Sequence, residues 1–122
     1  MNETGASSGR ILAVVNQKGG VGKTTTAINV ASSLALSGQK ILLVDLDPQA
    51  NMTSGVGLKG RHAPAGTIYE ALMTDVDPTA FLLESQIENL TVIPADRNLT
   101  GAEIELVSVP EREMRLRRVL EP

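Results

Sequence analysis

The sequence predicts an α/β fold, a doubly wound and mostly parallel sheet of about three strands with flanking helices. Three observations carry that prediction. First, short runs dense in aliphatic residues recur at positions 11–15, 41–44 and 89–94, as expected of strands covered on both faces. Second, between the first two runs Ala27, Val30, Ala31, Leu34 and Ala35 repeat at helical spacing. Third, glycine or proline punctuates the junctions. Gly19, Gly20 and Gly22 precede the helical stretch, Gly38 follows it, Pro48 follows the second run and Pro94 closes the third.

Composition narrows the field. A chain of 122 residues with 42% hydrophobic content is expected to form one globular domain at most. Positions 1–9 are polar and rich in Gly and Ser with no apolar core, so they are expected to be a disordered tail and not a secretory signal. No apolar run approaches the roughly 20 residues of a membrane span. The absence of cysteine excludes disulfides, cysteine-ligated metal or iron–sulfur centres and a thiol nucleophile within this chain. A net charge of −3 argues against a basic nucleic-acid binder. A single Phe and a single Tyr leave little for base stacking.

In chain order, the strand at 11–15 runs into Gln17-Lys18-Gly19-Gly20-Val21-Gly22-Lys23-Thr24-Thr25. Without a Cβ, Gly19, Gly20 and Gly22 let the backbone approach a ligand closely. Successive N–H groups from Lys18 to Thr25 can then line an anion cradle, with the positive end of the next helix aimed at the same point. Lys23 would meet the outer phosphates and the Thr24 hydroxyl suits Mg²⁺. The helix spans 22–37, with Gly38 placed for a left-handed C-terminal cap. The strand at 41–44 completes a βαβ unit with a right-handed crossover.

That strand ends in Asp45-Leu46-Asp47-Pro48-Gln49. Ligands of open α/β sheets bind outside the carboxyl ends of strands, so both carboxylates are expected level with the phosphate loop, on the same side of an extended chain. There an acid can hold Mg²⁺ or orient an attacking water. The plainer reading is an Asp-Pro turn with a helix-capping Asp. Positions 52–66 carry repeated glycines and no periodicity, and read as a long loop suited to a nucleotide-sensitive switch; His62 within it is assigned no role. Thr67 caps a short helix at 67–73 with Ile68, Ala71 and Leu72 facing inward. A further helix is expected from Asp77-Pro78 through Leu83, a third strand at 89–94, and helices at 100–107 and 111–120. Arg112, Arg115, Arg117 and Arg118 alternate with Glu111, Glu113 and Glu121. This is the pattern of an amphipathic surface helix burying Met114, Leu116, Val119 and Leu120, more than of a DNA interface.

The nonamer departs from G-x-x-x-x-G-K-[ST] by having Gln17 at the first glycine and a second lysine, Lys18. In this it resembles the deviant Walker A loop of the ParA/MinD superfamily, and the fold that follows is P-loop NTPase-like. Asp45, Asp47, Pro48, Gln49 and Asn51 match D-x-D-P-Q-x-N, and Leu90, Val92, Ile93, Pro94 and Ala95 match L-x-V-I-P-A. Both are similar to the ParA/Soj partition branch.

The resemblance implies ATP and Mg²⁺ as cofactors, bound by Lys18, Gly19, Gly20, Val21, Gly22, Lys23, Thr24 and Thr25. It assigns Mg²⁺ to Thr24 and Asp47, the hydrolytic water to Asp47, and action across an ATP-sandwich homodimer to Lys18. It further implies a cytoplasmic, nucleoid-associated protein with a ParB-type partner, no membrane, and non-specific DNA contacts lying beyond this chain. By the same resemblance residues 10–122 are expected to be the N-terminal part of the ATPase domain, without the Walker-B strand. Three alternatives stay open: a non-catalytic nucleotide-binding or dimerisation module, a MinD-like membrane-recruited ATPase, and a nitrogenase-reductase-like carrier, which the lack of cysteine disfavours.

Overall fold

The computed structural model describes residues 21–107 and 114–120. The expected tail, the strand at 11–15, Lys18, Gly19, Gly20 and Arg112 lie outside these residues. So do Glu111, Glu113 and Glu121.

The chain enters on α1, Val21–Leu36. Ala27, Ala31 and Ala35 are buried along one stripe, small enough to let the helix lie close to the sheet. The helix ends as expected at Gly38, whose φ of 100° only glycine adopts without strain. The Gly38 N–H donates to the Ala35 carbonyl at 3.0 Å and the Gln39 N–H to the Leu34 carbonyl at 3.1 Å. These are the paired bonds of a Schellman cap. The cap turns the chain back into β1, Ile41–Val44.

β1 pairs in parallel with β3, Leu90–Ile93, from Ile41 opposite Leu90 to Val44 opposite Ile93. β2, Leu83–Glu84, pairs antiparallel with β3, so the order is β1-β3-β2. The α/β class and the helices on both faces agree with expectation; the antiparallel β2 does not. Leu83 was expected in a helix, but the helical stretch stops after one 3-10 turn, Pro78–Phe81. Leu82 is already extended, and a hairpin returns through Ser85, whose hydroxyl donates to the Leu90 carbonyl at 2.7 Å, and through Asn89 at φ 72°. Pairing with β3 overrides local helix propensity. Leu42 is 42% exposed, and β1 has a strand neighbour on one side only among the described residues.

Alternation along the strands separates two cores. Leu43, Leu90 and Val92 pack with Ala31, Ala35 and Leu58 beneath α1. Ile93 packs with Ile68, Ala71, Leu72, Phe81 and Val119 on the opposite face. That second face is built by α3, Ile68–Met73, and α5, Arg115–Leu120. Thr67 caps α3 as predicted. It accepts the Tyr69 N–H at 3.2 Å while Glu70 accepts the Thr67 N–H at 2.8 Å, a capping box.

Residues 51–55 correct the loop expected at 52–66. They form α2, Asn51–Gly55, a helix too short to show a period. The helix expected at 100–107 is a 3-10 turn, Arg97–Gly101, followed by α4, Ala102–Leu106. In α5, Val119 is buried and Leu116 and Leu120 are half-buried, whereas Met114 is 41% exposed. Two arginines of this segment have a structural task. Arg115 donates to the Leu72 and Thr74 carbonyls at 2.7 and 2.6 Å, and Arg118 to the Ala71 and Thr74 carbonyls at 2.9 and 2.6 Å. They satisfy the last carbonyls of α3 and set positive charge at its negative end.

Two measurements test this account. At Gly66, φ is 126° and an added Cβ would collide with the Glu70 side chain that completes the capping box. Gly66→Ala is therefore expected to lower stability by about 1–3 kcal/mol in urea unfolding. The Thr79 N–H and hydroxyl hold the Asp77 carboxyl below its usual range. A depressed folded pKa contributes stability above the unfolded value, lost as pH falls through the folded one. Unfolding midpoints of wild type and Asp77→Ala should differ at pH 7 and converge in acid below the ordinary carboxylate range.

Candidate functional site

Two elements converge at the carboxyl end of β1. The Schellman cap joins the C-terminus of α1 to the start of β1, and α1 lies against α2, the helix that follows β1 and its turn. Packing agrees: a Cβ on Gly55 of α2 would lie 2.5 Å from Ile28 Cδ1 in the first half of α1. Val21, Gly22 and Lys23 provide the first-turn backbone of α1. Thr24 follows half-buried, and Thr25 is exposed. The N–H groups of a first helical turn have no intrahelical acceptor. In a helix of 16 residues the aligned peptide dipoles add positive potential there.

The two acids after β1 do different work. Asp45 has 0% exposure. Its Oδ1 accepts the Asp47 N–H at 3.0 Å. Its Oδ2 accepts both the Thr53 N–H at 2.9 Å and the Thr53 hydroxyl at 2.6 Å. Full burial and three protein donors make Asp45 part of the scaffold. Asp47 is half-buried. Its Oδ1 accepts the Gln49 N–H at 2.9 Å, and its Oδ2 accepts the Asn51 side-chain amide at 2.8 Å and the Asn51 N–H at 3.3 Å. The Asx turn of the plainer sequence reading is present. The N-cap of α2 is Ala50, without a side-chain cap, and Asp47, three residues before that position, reaches the first N–H of the helix. These bonds do not exhaust the carboxylate, which has about four acceptor positions.

Between these bonds Ala50 sits at φ 57°, a left-handed conformation uncommon outside glycine, and the Ala50 N–H donates to the Asp47 carbonyl at 2.7 Å. The turn is thus tied at Asp47, Ala50 and Asn51. Thr53, with 1% exposure, also accepts the Ala95 N–H at 3.2 Å, which joins α2 to the end of β3. Sequence reasoning missed Thr53. No local spacing relates it to Asp45, eight positions earlier, or to Ala95, 42 positions later.

The residues present fit a nucleoside triphosphate with a divalent cation. A helix N-terminus suits phosphate. A hydroxyl at Thr24 and a half-buried carboxylate at Asp47 are hard oxygen donors of the kind Mg²⁺ takes, one or two at a time, alongside phosphates.

An AAA domain family model matches residues 9–122. The chain is 53% identical over 117 residues to the chromosome partitioning protein ParA of Myxococcus xanthus, covering 96% of this chain and 41% of that one. It is 50% identical over 113 residues to the sporulation initiation inhibitor protein Soj of Bacillus subtilis, covering 93% and 44%. It therefore spans less than half the length of these relatives. Among solved structures, cobyrinic acid a,c-diamide synthase of Mycobacterium smegmatis with bound ATP analog and magnesium superposes with a TM-score of 0.78 at 42% identity, covering 87% of this chain and 43% of that one.

The two acids should separate on mutation. Asp45→Ala leaves the two buried donors of Thr53 and the part-buried Asp47 N–H unpaired and is expected to cost about 3 kcal/mol or more. Asp47→Ala removes exposed bonds to Gln49 and Asn51 and should cost about 1 kcal/mol. Urea unfolding of both variants checks the order.

Proposed function

The chain belongs to the AAA domain family whose model spans residues 9–122, and from that membership we propose that it is the nucleotide-binding portion of an ATP-hydrolysing protein of chromosome or plasmid partition. The observation that carries the reading is the identity of 53% and 50% with two partition-type relatives over 96% and 93% of this chain. That span takes in both the glycine-rich loop and the Asp45 turn. The diamide synthase names a different reaction on a similar fold, and its lower identity of 42% gives it less weight. Residues 10–122 are read as the N-terminal part of the domain, and hydrolysis is attributed to the whole protein.

In this proposal the loop amides from Lys18 to Thr24 and the α1 N-terminus hold phosphate oxygens, together with Val21 and Thr25 of the same nonamer. Lys23 neutralises the outer phosphates. Thr24 and Asp47 hold Mg²⁺, directly or through water. Bound Mg-ATP supplies the phosphoanhydride and the metal charge that stabilises its cleavage. Asp47 orients the attacking water, since its carboxylate retains acceptor capacity beyond its bonds to Gln49 and Asn51. Lys18 acts across a nucleotide-sandwich dimer. Partition further implies a ParB-type partner and non-specific DNA, contacted through residues beyond this chain, in the cytoplasm at the nucleoid. Among the described residues no helix is long and apolar enough to cross a membrane.

Calorimetric titration of Mg-ATP tests the site. Saturable binding by the wild type, weakened at least about tenfold in Lys23→Ala through loss of a charge-assisted contact, is the expected result. Equal binding by both proteins overturns it. In the whole protein Asp47→Asn should keep nucleotide binding and lose turnover by about a hundredfold or more.

A further inference from the structure

Four hydrogen bonds close a ring around the proposed catalytic carboxylate. Asp45 Oδ1 holds the Asp47 N–H, Asp47 Oδ2 holds Asn51, α2 carries the chain from Asn51 to Thr53, and the Thr53 N–H and hydroxyl return to Asp45 Oδ2. Two bonds tie the ring to β3 and the residues just past it: the Asp45 N–H donates to the Ile93 carbonyl at 3.1 Å, and the Ala95 N–H to Thr53 Oγ1 at 3.2 Å. Asp45 and Thr53 are both sealed from solvent, at 0% and 1% exposure, so water cannot replace a lost partner in the Thr53–Asp45 bonds. The Thr53 side chain bonds Asp45 on one side and the Ala95 backbone, two residues past β3, on the other.

We propose that Thr53 is a positioning residue for Asp47, acting through Asp45. The Asp45 backbone is held by Ile93 of β3, but its side chain is not. The Thr53 hydroxyl accepts from Ala95 just past β3 and donates to the carboxylate that holds the Asp47 N–H, so the orientation of that carboxylate, and with it the Asp47 turn, is set by Thr53. Valine has nearly the same shape and lacks both bonds; serine keeps both bonds and lacks the methyl group. The two substitutions separate hydrogen bonding from packing. The assignment rests on the proposed role of Asp47 in hydrolysis.

The test compares Thr53→Val, Thr53→Ser and Asp47→Asn in the whole protein, with two readouts. Steady-state ATP hydrolysis should show kcat falling by about tenfold to a hundredfold in Thr53→Val with KM changed little, as misplacement of a catalytic group by about an ångström does, and near-complete rescue in Thr53→Ser. Amide hydrogen exchange needs no turnover. It should show Thr53→Val losing protection at Asp47, Asn51 and Thr53 while β3 and α1 keep theirs, and Thr53→Ser retaining it.

Unchanged kcat in Thr53→Val, equal loss in the serine variant, or exchange increased uniformly across the domain each overturns the positioning role. If Thr53→Val does not fold, Thr53→Ala takes its place in both arms. An Asp47→Asn variant with full turnover overturns the reading of Asp47 itself. A wild type that hydrolyses nothing overturns the proposed activity, and the exchange arm still decides whether Thr53 orders the turn.

Discussion

The buried carboxylate of Asp45 is the constraint on which the functional end of this chain depends. An ionisable group with no solvent contact is tolerated only where donors converge on it, and Asp45 draws three of them from Asp47 and Thr53. Meeting that need dictates the local path. The chain leaves β1, turns at Pro48, passes through a left-handed Ala50 and enters α2 so that Thr53 comes back beneath Asp45. Asp47 is carried on the outside of the same turn, where its carboxylate bonds the start of α2 and stays half-open. One acid is spent on structure so that the other can be placed.

The opposite wall of the site follows from a different economy of backbone groups. The Schellman cap at Gly38 turns α1 back into β1, and α1 packs on α2 where Ile28 meets Gly55. The alanine stripe of α1 lies on the face bearing Leu43 and Val92. The other face is closed by α3 and α5 over Ile93, with Arg115 and Arg118 satisfying the α3 carbonyls. Those two guanidiniums are occupied by the fold, which is why the basic character of α5 does not present as an anion surface at these positions.

A network of this kind also ties the site to the rest of the domain. The Ile68 N–H donates to the Pro94 carbonyl at 2.8 Å, and the Ala95 N–H to Thr53, so consecutive residues after β3 grip α3 and α2 respectively. Packed elements held by discrete bonds move between arrangements and do not deform smoothly. The Asp47 turn, the end of β3 and α3 are thus joined by one chain of hydrogen bonds.

What the sequence by itself determined was whatever depends on neighbours along the chain. Apolar runs gave β1 and β3, helical spacing gave α1, and Gly38 and Thr67 gave its C-terminal cap and the start of α3. The nonamer around Lys23 and the Asp45–Asn51 pattern point to phosphate and Mg²⁺ chemistry from the sequence, because phosphate cradles and Asx turns are local geometry. The tertiary structure alone decided which of two acids is buried, that Thr53 bridges Asp45 to Ala95, that Leu83 joins a strand, and that Arg115 and Arg118 serve α3. In each of these the partner lies on another element or is chosen by burial, and neither hydrogen-bond pairing across space nor the removal of water is encoded in spacing.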